Sequence, residues 1–139
     1  MTKAVLITGG AKRVGRAIAL AAHRQGWRPI IHYNASSADA VALAEELGGF
    51  AVGHDLSVPG AGSLVVAQAR EHSKILGAEL CGLVNSASIF EHDTAANATE
   101  DDLLRNFRIN ALAPMMLAQA FAAEAPDGSA IVNMLDQKL

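Results

Sequence analysis

Glycines and cations follow the first apolar run of the chain, residues 4–7. Residues 8–16 read Thr-Gly-Gly-Ala-Lys-Arg-Val-Gly-Arg and lead into an alanine-rich helical pattern. Glycines let the backbone turn sharply and approach a ligand, and the free N–H groups at a helix start attract phosphate. Lys12 and Arg13 add positive charge on the same turn. The segment therefore indicates an anion-binding loop, although paired glycines can also serve only a strand-to-helix turn.

Polar residues also stand where each later apolar run ends. The segments that contain them are His32-Tyr33-Asn34-Ala35-Ser36-Ser37, His54-Asp55-Leu56, Asn85-Ser86-Ala87-Ser88-Ile89-Phe90 and the residue Asp136. Two of these residues allow structural roles as well as ligand binding. His32 can be a capped residue at a strand end, and Asp55 can cap the helix that follows it.

Short apolar runs alternate with longer stretches of helical spacing, a pattern typical of βα units. The runs are continuously apolar, which predicts strands covered on both faces, as in a parallel sheet between two helical layers. Together with the right-handed crossover rule, this predicts an α/β fold with a Rossmann-type doubly wound parallel sheet. The predicted strands are residues 4–7, 28–33, 49–53, 80–84 and 130–135, and the predicted helices are residues 13–25, 37–47, 57–76 and 99–123.

Polar caps indicate where the helices start, and glycines indicate where they end. The candidate caps are Ser36 or Ser37, Asp55 or Ser57, and Thr99 with Asp102 in the spacing of a capping box. The candidate left-handed residues at helix ends are Gly26 and Gly48. Pro114 interrupts the last helical pattern, and it either kinks that helix or starts a second segment near Met115.

The chain of 139 residues has the length of one compact domain. The element order βαβαβαβαβ stops at the fifth strand, whereas a complete sheet of this class has about six parallel strands. Residues 1–139 are therefore expected to be the N-terminal part of a longer single domain. The sheet would be incomplete at its C-terminal end, with an open edge and uncovered apolar faces.

Composition excludes several classes of protein. Eleven Lys and Arg against fourteen Asp and Glu give a net charge of −3, which argues against a nucleic-acid binder because such a protein needs a basic face. The apolar runs are far shorter than the roughly 20 residues of a membrane helix. Cys81 is the single cysteine, so an intrachain disulfide is excluded and a cytoplasmic location is expected. We assign no metal site.

The glycine-containing segment resembles the Thr-Gly-x-x-x-Gly-x-Gly loop of the short-chain dehydrogenase/reductase family, with Arg13 in place of the middle glycine. Within that family, the string TGGAKRVGRAIA of residues 8–19 looks most like the pteridine reductases and their bacterial dihydromonapterin reductase-like relatives. Residues 85–88, Asn-Ser-Ala-Ser, are similar to the Asn-Asn-Ala-Ser of pteridine reductases. The resemblance extends over essentially the whole chain.

The resemblance implies a dinucleotide site. Enzymes that prefer NAD place an acidic residue after the second strand. No acid stands there in this chain, and Ser36 or Ser37 can donate hydrogen bonds to a 2′-phosphate, so NADPH is expected rather than NADH. Related sequences carry an arginine where this chain has Ala35, and Arg13 is the candidate for the missing charge. The implied cofactor-binding residues are Gly9, Lys12, Arg13, Val14, Gly15, His32, Tyr33, Asn34, Ser36, Asp55, Leu56, Asn85, Ser86, Ala87 and Ser88.

The resemblance also implies catalytic and substrate-binding residues. Asp136 stands where the family has its catalytic serine and pteridine reductases have aspartate, so it would donate or relay a proton. Asn110 matches the asparagine of the family's Asn-x-x-x-Pro, which holds a water of the proton relay. Phe90 corresponds to the aromatic residue that stacks on a pterin, and Ser88 belongs to the same substrate site. The structural alternatives are an apolar loop anchor for Phe90 and a solvated acid for Asp136.

The family's Tyr-x-x-x-Lys motif is absent, because Tyr33 is the single tyrosine and Ser37 stands four residues after it. The parent protein is expected to be an NADPH-dependent reductase of a pterin-like C=N substrate, whereas this chain alone is expected to be inactive. The alternatives are a carbonyl reductase of the ketoacyl type and a non-catalytic nucleotide-binding fragment. A small-molecule substrate and a homo-oligomer are the expected partners.

Overall fold

A computed structural model describes residues 1–90 and 94–135. Five parallel strands form one sheet in the order β3-β2-β1-β4-β5. The chain moves outward from β1 to β3 and then returns to the other side of β1, which confirms the doubly wound topology. The elements are β1 Thr2–Ile7, α1 Arg13–Arg24, β2 Arg28–Tyr33, α2 Ser37–Leu47, β3 Phe50–Gly53, α3 Ala61–Ile75, β4 Ala78–Asn85, α4 Glu100–Phe107, a π-helical turn Arg108–Leu112, α5 Ala113–Ala122 and β5 Ala130–Asn133.

Successive residues of β1 supply the two apolar cores of the molecule. Ile7 packs in the cluster covered by α1 and α2, together with Ile31 and Leu43. Leu6 points to the opposite face and packs with Leu83 and other residues beneath α3 and α5. Each fully buried side chain of this size stabilises the fold by about 1.5–3 kcal/mol. The central strands are thus covered on both faces, as their continuous apolarity predicts.

The third helix begins at Ala61, so the predicted start at residue 57 is wrong. The Asp55 carboxylate accepts hydrogen bonds from the Ser57 N–H at 2.9 Å and from its hydroxyl at 2.7 Å. Asp55 therefore closes a local turn instead of capping the helix. Gly60, with φ of +82°, directly precedes the helix.

The last helical stretch is interrupted before Pro114. Residues of α4 give way to the π-helical turn, and α5 then starts at Ala113 with the proline in its first turn. A proline is tolerated there because the first N–H groups of a helix have no partner within the helix. The two predicted arrangements were a kinked helix and a second segment that starts near Met115. The structure has the second segment, and it starts at Ala113.

The other predicted helix boundaries have mixed outcomes. The Thr99 hydroxyl accepts a hydrogen bond from the Asp102 N–H at 3.2 Å, which confirms the predicted cap. Gly26 and Gly48 have φ of +83° and +63° and follow helices, as predicted. Ser36 precedes α2, but its side chain makes no capping hydrogen bond.

The fifth strand departs from the burial predicted for both faces and matches the uncovered apolar faces expected at the C-terminal end of the sheet. All four of its residues are exposed, and Val132 retains 49% of its accessible surface. Within the described residues, β4 is the strand that pairs with β5, so the other edge of β5 is open. Among the helices of residues 1–90 and 94–135, none has the length and apolarity of a membrane span.

Candidate functional site

The parallel sheet places the ends of all five strands, and most predicted site residues, along one edge. β1 and β4 are neighbours, and the loops that follow them leave the sheet at the point where the strand order reverses. Open α/β sheets bind ligands outside the carboxyl ends of their strands at such a point. We call residues 8–13 the glycine loop, which includes the first residue of α1, and residues 86–90 the β4 loop.

The start of α1 carries an unusual charge. Its first turn has no acidic residue, its N-cap residue Lys12 makes no capping hydrogen bond, and Arg13 and Arg16 both lie in its first turns. Cations at this end oppose the helix dipole, which favours anions there by about 0.3–1 kcal/mol each. In contrast, α4 has a side-chain cap and three acidic residues in its first turn. The start of α1 therefore offers unpaired N–H groups and positive charge, which are the features that bind anions.

Arg13 adopts a left-handed backbone conformation. Its φ is +51°, and no other non-glycine residue among those described has a positive φ. This conformation costs an L-residue roughly 1–2 kcal/mol. The position is the one where the resembling loop has a glycine, and the arginine here adopts a conformation that glycine takes without strain and adds a guanidinium.

The three cations also border a groove of about 350 Å³ between α1 and α2. Asp39 and Glu46 line its other side. Lys12 Nζ lies 3.5 Å from Asp39 Oδ2, with both side chains about 60% exposed, so this pair adds little stability. In the described part of the chain, no carboxylate forms an ion pair with Arg13 or Arg16.

Two glycines allow the glycine loop to pack closely. An added Cβ at Gly9 would lie 2.9 Å from Ala87 Cα, and Gly9 also has φ of +59°. An added Cβ at Gly15 would collide with the Gly9 carbonyl oxygen. The glycine loop is thus pressed against both α1 and the β4 loop, which leaves no room for a side chain at either position.

Thr8 is a site residue that the sequence interpretation did not include. Its hydroxyl oxygen accepts hydrogen bonds from the N–H groups of Ser86 and Ala87, both at 3.0 Å, and it is 1% exposed. Its backbone N–H donates to the Val84 carbonyl oxygen at 3.0 Å. The signal was a small polar residue directly after a buried strand, where a hydroxyl needs a partner.

His32 is 2% exposed and both of its ring nitrogens bond to backbone groups. Nδ1 accepts a hydrogen bond from the Gly9 N–H at 3.2 Å, and Nε2 donates to the His54 carbonyl oxygen at 2.8 Å. Burial lowers the pKa of His32 below 6.5, although the bond to His54 opposes this effect. The ring therefore joins the loops after β1 and β3, and it makes these contacts in its neutral form.

The segment after β2 is partly accessible. Asn34 is exposed and Ser36 is half-buried, so both can reach a ligand at this edge. The Tyr33 ring lies against Gly53, where an added Cβ would be 2.5 Å from the ring. The Ser37 hydroxyl lies 3.5 Å from the Tyr33 hydroxyl. This segment presents hydroxyl and amide groups and no carboxylate.

The segment after β3 presents one carboxylate. The hydroxyl and N–H of Ser57 bond to Asp55 and lower the pKa of its carboxyl below 3.8. Asp55 is half-buried and ionised at neutral pH, whereas Leu56 is 7% exposed and belongs to the core. Of these two predicted residues, Asp55 has the accessible polar group.

Asn85 ends β4 and connects it to β5. Its Nδ2 donates to Asn133 Oδ1 at 2.9 Å and lies 3.4 Å from the Pro114 carbonyl oxygen. Asn85 is 4% exposed, and its Oδ1 has no hydrogen-bond partner within the described residues. The side chain therefore fixes the spacing of two strand ends beneath the β4 loop.

Asn110 lies in the π-helical turn and holds the β4 loop. Its Oδ1 accepts from the Ile89 N–H and its Nδ2 donates to the Ile89 carbonyl oxygen, both at 2.9 Å. The oxygen and the nitrogen of the amide are therefore both bonded to the backbone of one residue, Ile89. Phe90 follows directly and is 71% exposed, and Ser88 is also exposed. These two residues lie at the open side of the candidate site.

The predicted catalytic Asp136 lies outside the described residues. The strand that leads to it, β5, pairs in register with β4, so that Asn133 stands beside Asn85. The remaining predicted residues, Val14, Lys12 and Ala87, lie on the start of α1, the glycine loop and the β4 loop. The arrangement can hold an extended anionic ligand across the ends of β1, β2, β3 and β4.

Comparison with known proteins finds oxidoreductases that are similar to this chain. A model of the short chain dehydrogenase family matches residues 3–135. An uncharacterized oxidoreductase of Methylorubrum extorquens is 29% identical over 138 residues, which cover 95% of this chain and 54% of that protein. The chain spans about half the length of this curated relative.

Solved structures are similar over nearly the whole described fold. The alternative dihydrofolate reductase 1 FolM of Brucella canis, complexed with NADP, superposes with a TM-score of 0.85 and 29% identity over 99% of this chain and 56% of that one. The angucycline C-6 ketoreductase LanV with bound NADP gives a TM-score of 0.86 and 30% identity over 94% of this chain and 54% of that one.

Proposed function

The chain belongs to the short chain dehydrogenase family, and from this membership we propose that it forms the NADP(H)-binding part of an oxidoreductase. The observation that carries the proposal is the cationic start of α1, uncapped and without acidic residues, at the reversal of strand order. A pyrophosphate would lie against the free N–H groups at this start. Two similar structures hold NADP, which supports the same cofactor here.

Preference for NADP(H) over NAD(H) follows from charge. The loop after β2 has no carboxylate to repel a 2′-phosphate or to bind a ribose 2′-hydroxyl. Arg13 is exposed on the glycine loop, with no ion pair among the described residues. Its guanidinium can bind a phosphate through two parallel hydrogen bonds. We therefore assign discrimination between the two cofactors to Arg13.

The nicotinamide ring, when bound, would supply a hydride, and residues of this chain would bind and orient the ring. Thr8 and Asn85 hold the β4 loop and β5 in fixed positions beside the reversal point. Asp136 is our candidate proton donor, since it is the acid that follows β5 in the sequence. Asn110 positions the β4 loop through its two hydrogen bonds to Ile89. We also propose that Asn110 holds a water of the proton relay.

For the substrate we propose a pterin-like heterocycle whose C=N bond is reduced. Phe90 exposes a ring at the open side of the site, where it can stack on a planar substrate. The similarity to an alternative dihydrofolate reductase supports this choice. The similarity to a ketoreductase supports the second candidate, reduction of a carbonyl substrate. Lacking Tyr-x-x-x-Lys, these 139 residues are proposed to bind cofactor without turning over substrate.

Fluorescence titration with NADPH tests the cofactor proposal. The intact mass is measured on the same sample, because it shows the length of the protein that is being titrated. We expect saturable binding that is at least about tenfold tighter for NADPH than for NADH, equivalent to about 1.4 kcal/mol. The Arg13→Met variant should lose this preference. Arg24→Met, which removes a cation from the far end of α1, should keep it. Equal, unsaturable signals with both cofactors would refute the proposal.

A longer protein that contains residues 1–139 should then be assayed with a dihydropterin and a ketone. Pterin reduction that falls in the Phe90→Ala variant supports the first substrate. Ketone reduction without pterin reduction supports the second.

We also propose a homo-oligomer, for which the exposed apolar residues Leu103, Leu104 and Phe107 of α4 are candidate contacts. Sedimentation of wild type against Phe107→Glu tests that part.

A further inference from the structure

His32 is bonded to both neighbouring loops, although it is almost fully buried. Its Nδ1 accepts from the Gly9 N–H of the glycine loop at 3.2 Å, and its Nε2 donates to the His54 carbonyl oxygen after β3 at 2.8 Å. A peptide N–H can only donate, so Nδ1 must carry no proton. The contacts thus require the neutral ring with its hydrogen on Nε2.

The backbone around His32 makes the same connection. The His32 carbonyl oxygen accepts from the Gly10 N–H at 3.0 Å, and the Tyr33 carbonyl oxygen accepts from the His54 N–H at 3.0 Å. Two successive N–H groups of the glycine loop therefore point back to His32. The N–H groups that remain for an anion are those at the start of α1.

We propose that His32 is a positioning residue that holds the glycine loop and the loop after β3 in their binding geometry without touching the cofactor, and that protonation of its ring releases the glycine loop. This inference rests on the proposed NADP(H) function. A proton on Nδ1 would place two donors face to face, His32 and the Gly9 N–H. The bond would be lost in a buried place, where an unpartnered donor is costly.

The charged groups around His32 define the pH range of this release. His54, on the loop after β3, is the titratable group that acts electrostatically on the ring. The Asp55 carboxylate is engaged by Ser57, and the cations Lys12 and Arg13 on the glycine loop are exposed. Burial lowers the pKa of His32 below 6.5, so the ring is neutral at pH 7. The glycine loop is then released as the pH falls through the lowered pKa of the ring.

Three substitutions separate the two bonds. In His32→Asn, Oδ1 can replace Nδ1 as acceptor for Gly9, whereas the bond to His54 is lost. In His32→Gln, the side-chain amide can reach the His54 carbonyl oxygen, whereas the acceptor for Gly9 is lost. His32→Leu removes both bonds at similar volume. His54→Ala is the matched control, because it removes the nearby imidazole and leaves the carbonyl oxygen that His32 uses.

The first measurement is hydrogen exchange of the Gly9 amide by NMR, on the free protein at about pH 8 and at a pH below the lowered pKa of His32. We expect Gly9 exchange to accelerate in His32→Leu and His32→Gln, and to stay within about threefold of wild type in His32→Asn. Wild type should show faster Gly9 exchange at the lower pH, after correction for intrinsic rates. His54→Ala should retain that response.

The second measurement is calorimetric titration with NADP⁺ at the same two pH values. His32→Leu should weaken binding by about tenfold at the higher pH, the equivalent of one lost hydrogen bond, and His32→Asn by at most about threefold. The 2′-phosphate itself titrates near pH 6, so the titrations are repeated with NAD⁺. The contribution of His32 to the pH dependence of cofactor affinity is the part of the wild-type response that is missing in the His32→Asn variant.

The outcomes distinguish this inference from the proposed function. Unchanged Gly9 exchange and unchanged NADP⁺ affinity in a folded His32→Leu variant would overturn the positioning role. An equal pH response in wild type and His32→Asn would overturn the release by protonation. Failure of wild type to bind NADP⁺ would refute the proposed function, and Gly9 exchange would still decide whether His32 holds the loop.

Discussion

The hydroxyl oxygen of Thr8 lies 3.0 Å from the peptide nitrogen of Ala87, so the loops after β1 and β4 are bonded directly to each other. Similar links continue along the edge of the sheet. His32 joins the loops after β1 and β3, and Asn85 joins the end of β4 to Asn133 of β5. The candidate site is therefore one connected scaffold, in which single hydrogen-bonding groups hold neighbouring loops.

Replacing Thr8 by valine removes the acceptor for two N–H groups in a buried place. We expect a loss of about 1–3 kcal/mol in the free energy of unfolding, together with weaker NADPH binding. Thr8→Ser keeps the hydroxyl and should lose less than half as much. Urea unfolding measures the first effect and fluorescence titration the second. Equal stability of the valine and serine variants would contradict the role of the hydroxyl.

Gly9 and Gly26 form a matched pair, since both have a positive φ. Alanine at Gly26 meets nothing within 4 Å and should cost only the backbone strain, roughly 1–2 kcal/mol. Alanine at Gly9 would in addition press on Ala87. We expect Gly9→Ala to be the less stable variant in thermal unfolding and to lose NADPH binding. Similar melting temperatures for both variants would contradict the close approach of the two loops.

Arg13→Gly should have opposite effects on stability and binding. Glycine relieves the left-handed strain at φ of +51°, so the free energy of unfolding should rise by up to about 1 kcal/mol. Binding of NADPH should weaken, whereas binding of NADH should change little because it has no 2′-phosphate.

Arg13→Lys is the control for that substitution, since it keeps the charge and the strain. Its stability should match wild type, and its NADPH affinity should fall between those of wild type and Arg13→Gly. Chemical unfolding and paired titrations measure both quantities. A glycine variant that is no more stable than wild type would show that Arg13 bears no strain.

Asp55 should contribute to stability above pH 3.8. The hydrogen bonds from Ser57 lower the pKa of its carboxyl below that value in the folded state, so the unfolded chain takes up its proton first. Stability is then lost as the pH falls from about 3.8 through the folded pKa. In Asp55→Asn this part of the pH dependence should be absent. Unfolding free energies measured across this range would refute the assignment if both proteins lost stability equally.

Asn110→Ala should loosen the β4 loop, because both hydrogen bonds to Ile89 are lost. We expect faster amide exchange at Ile89 and a loss of about 1 kcal/mol in stability. Asn106→Ala is the control, since Asn106 bonds to the Asp102 carbonyl oxygen within α4. It should leave Ile89 exchange unchanged. An equal change in both variants would mean that the effect comes from the helix and not from the loop.

Most of the fold was predictable because its signals are local. Continuous apolar runs predicted β1, β2, β3 and β4, and the glycines after helices took the expected left-handed conformations. The start of α3 was mispredicted because Asp55 and Ser57 satisfy each other in a turn, which a capping preference alone does not reveal. The apolar run of β5 predicted a strand but not what packs on it, and its exposure matches the uncovered apolar faces expected at the C-terminal end of the sheet.

By itself, the sequence determined the type of site, a cationic glycine loop between a buried strand and a helix, because residue types and spacing dictate local turns and charge. Tertiary structure alone decided which predicted residues face a ligand. Folding buried His32 between two loops, bonded Asn110 to Ile89, and made Thr8 the link between β1 and β4. These relationships join residues that are 21 to 79 positions apart, and only the packing of the sheet brings them within hydrogen-bonding distance.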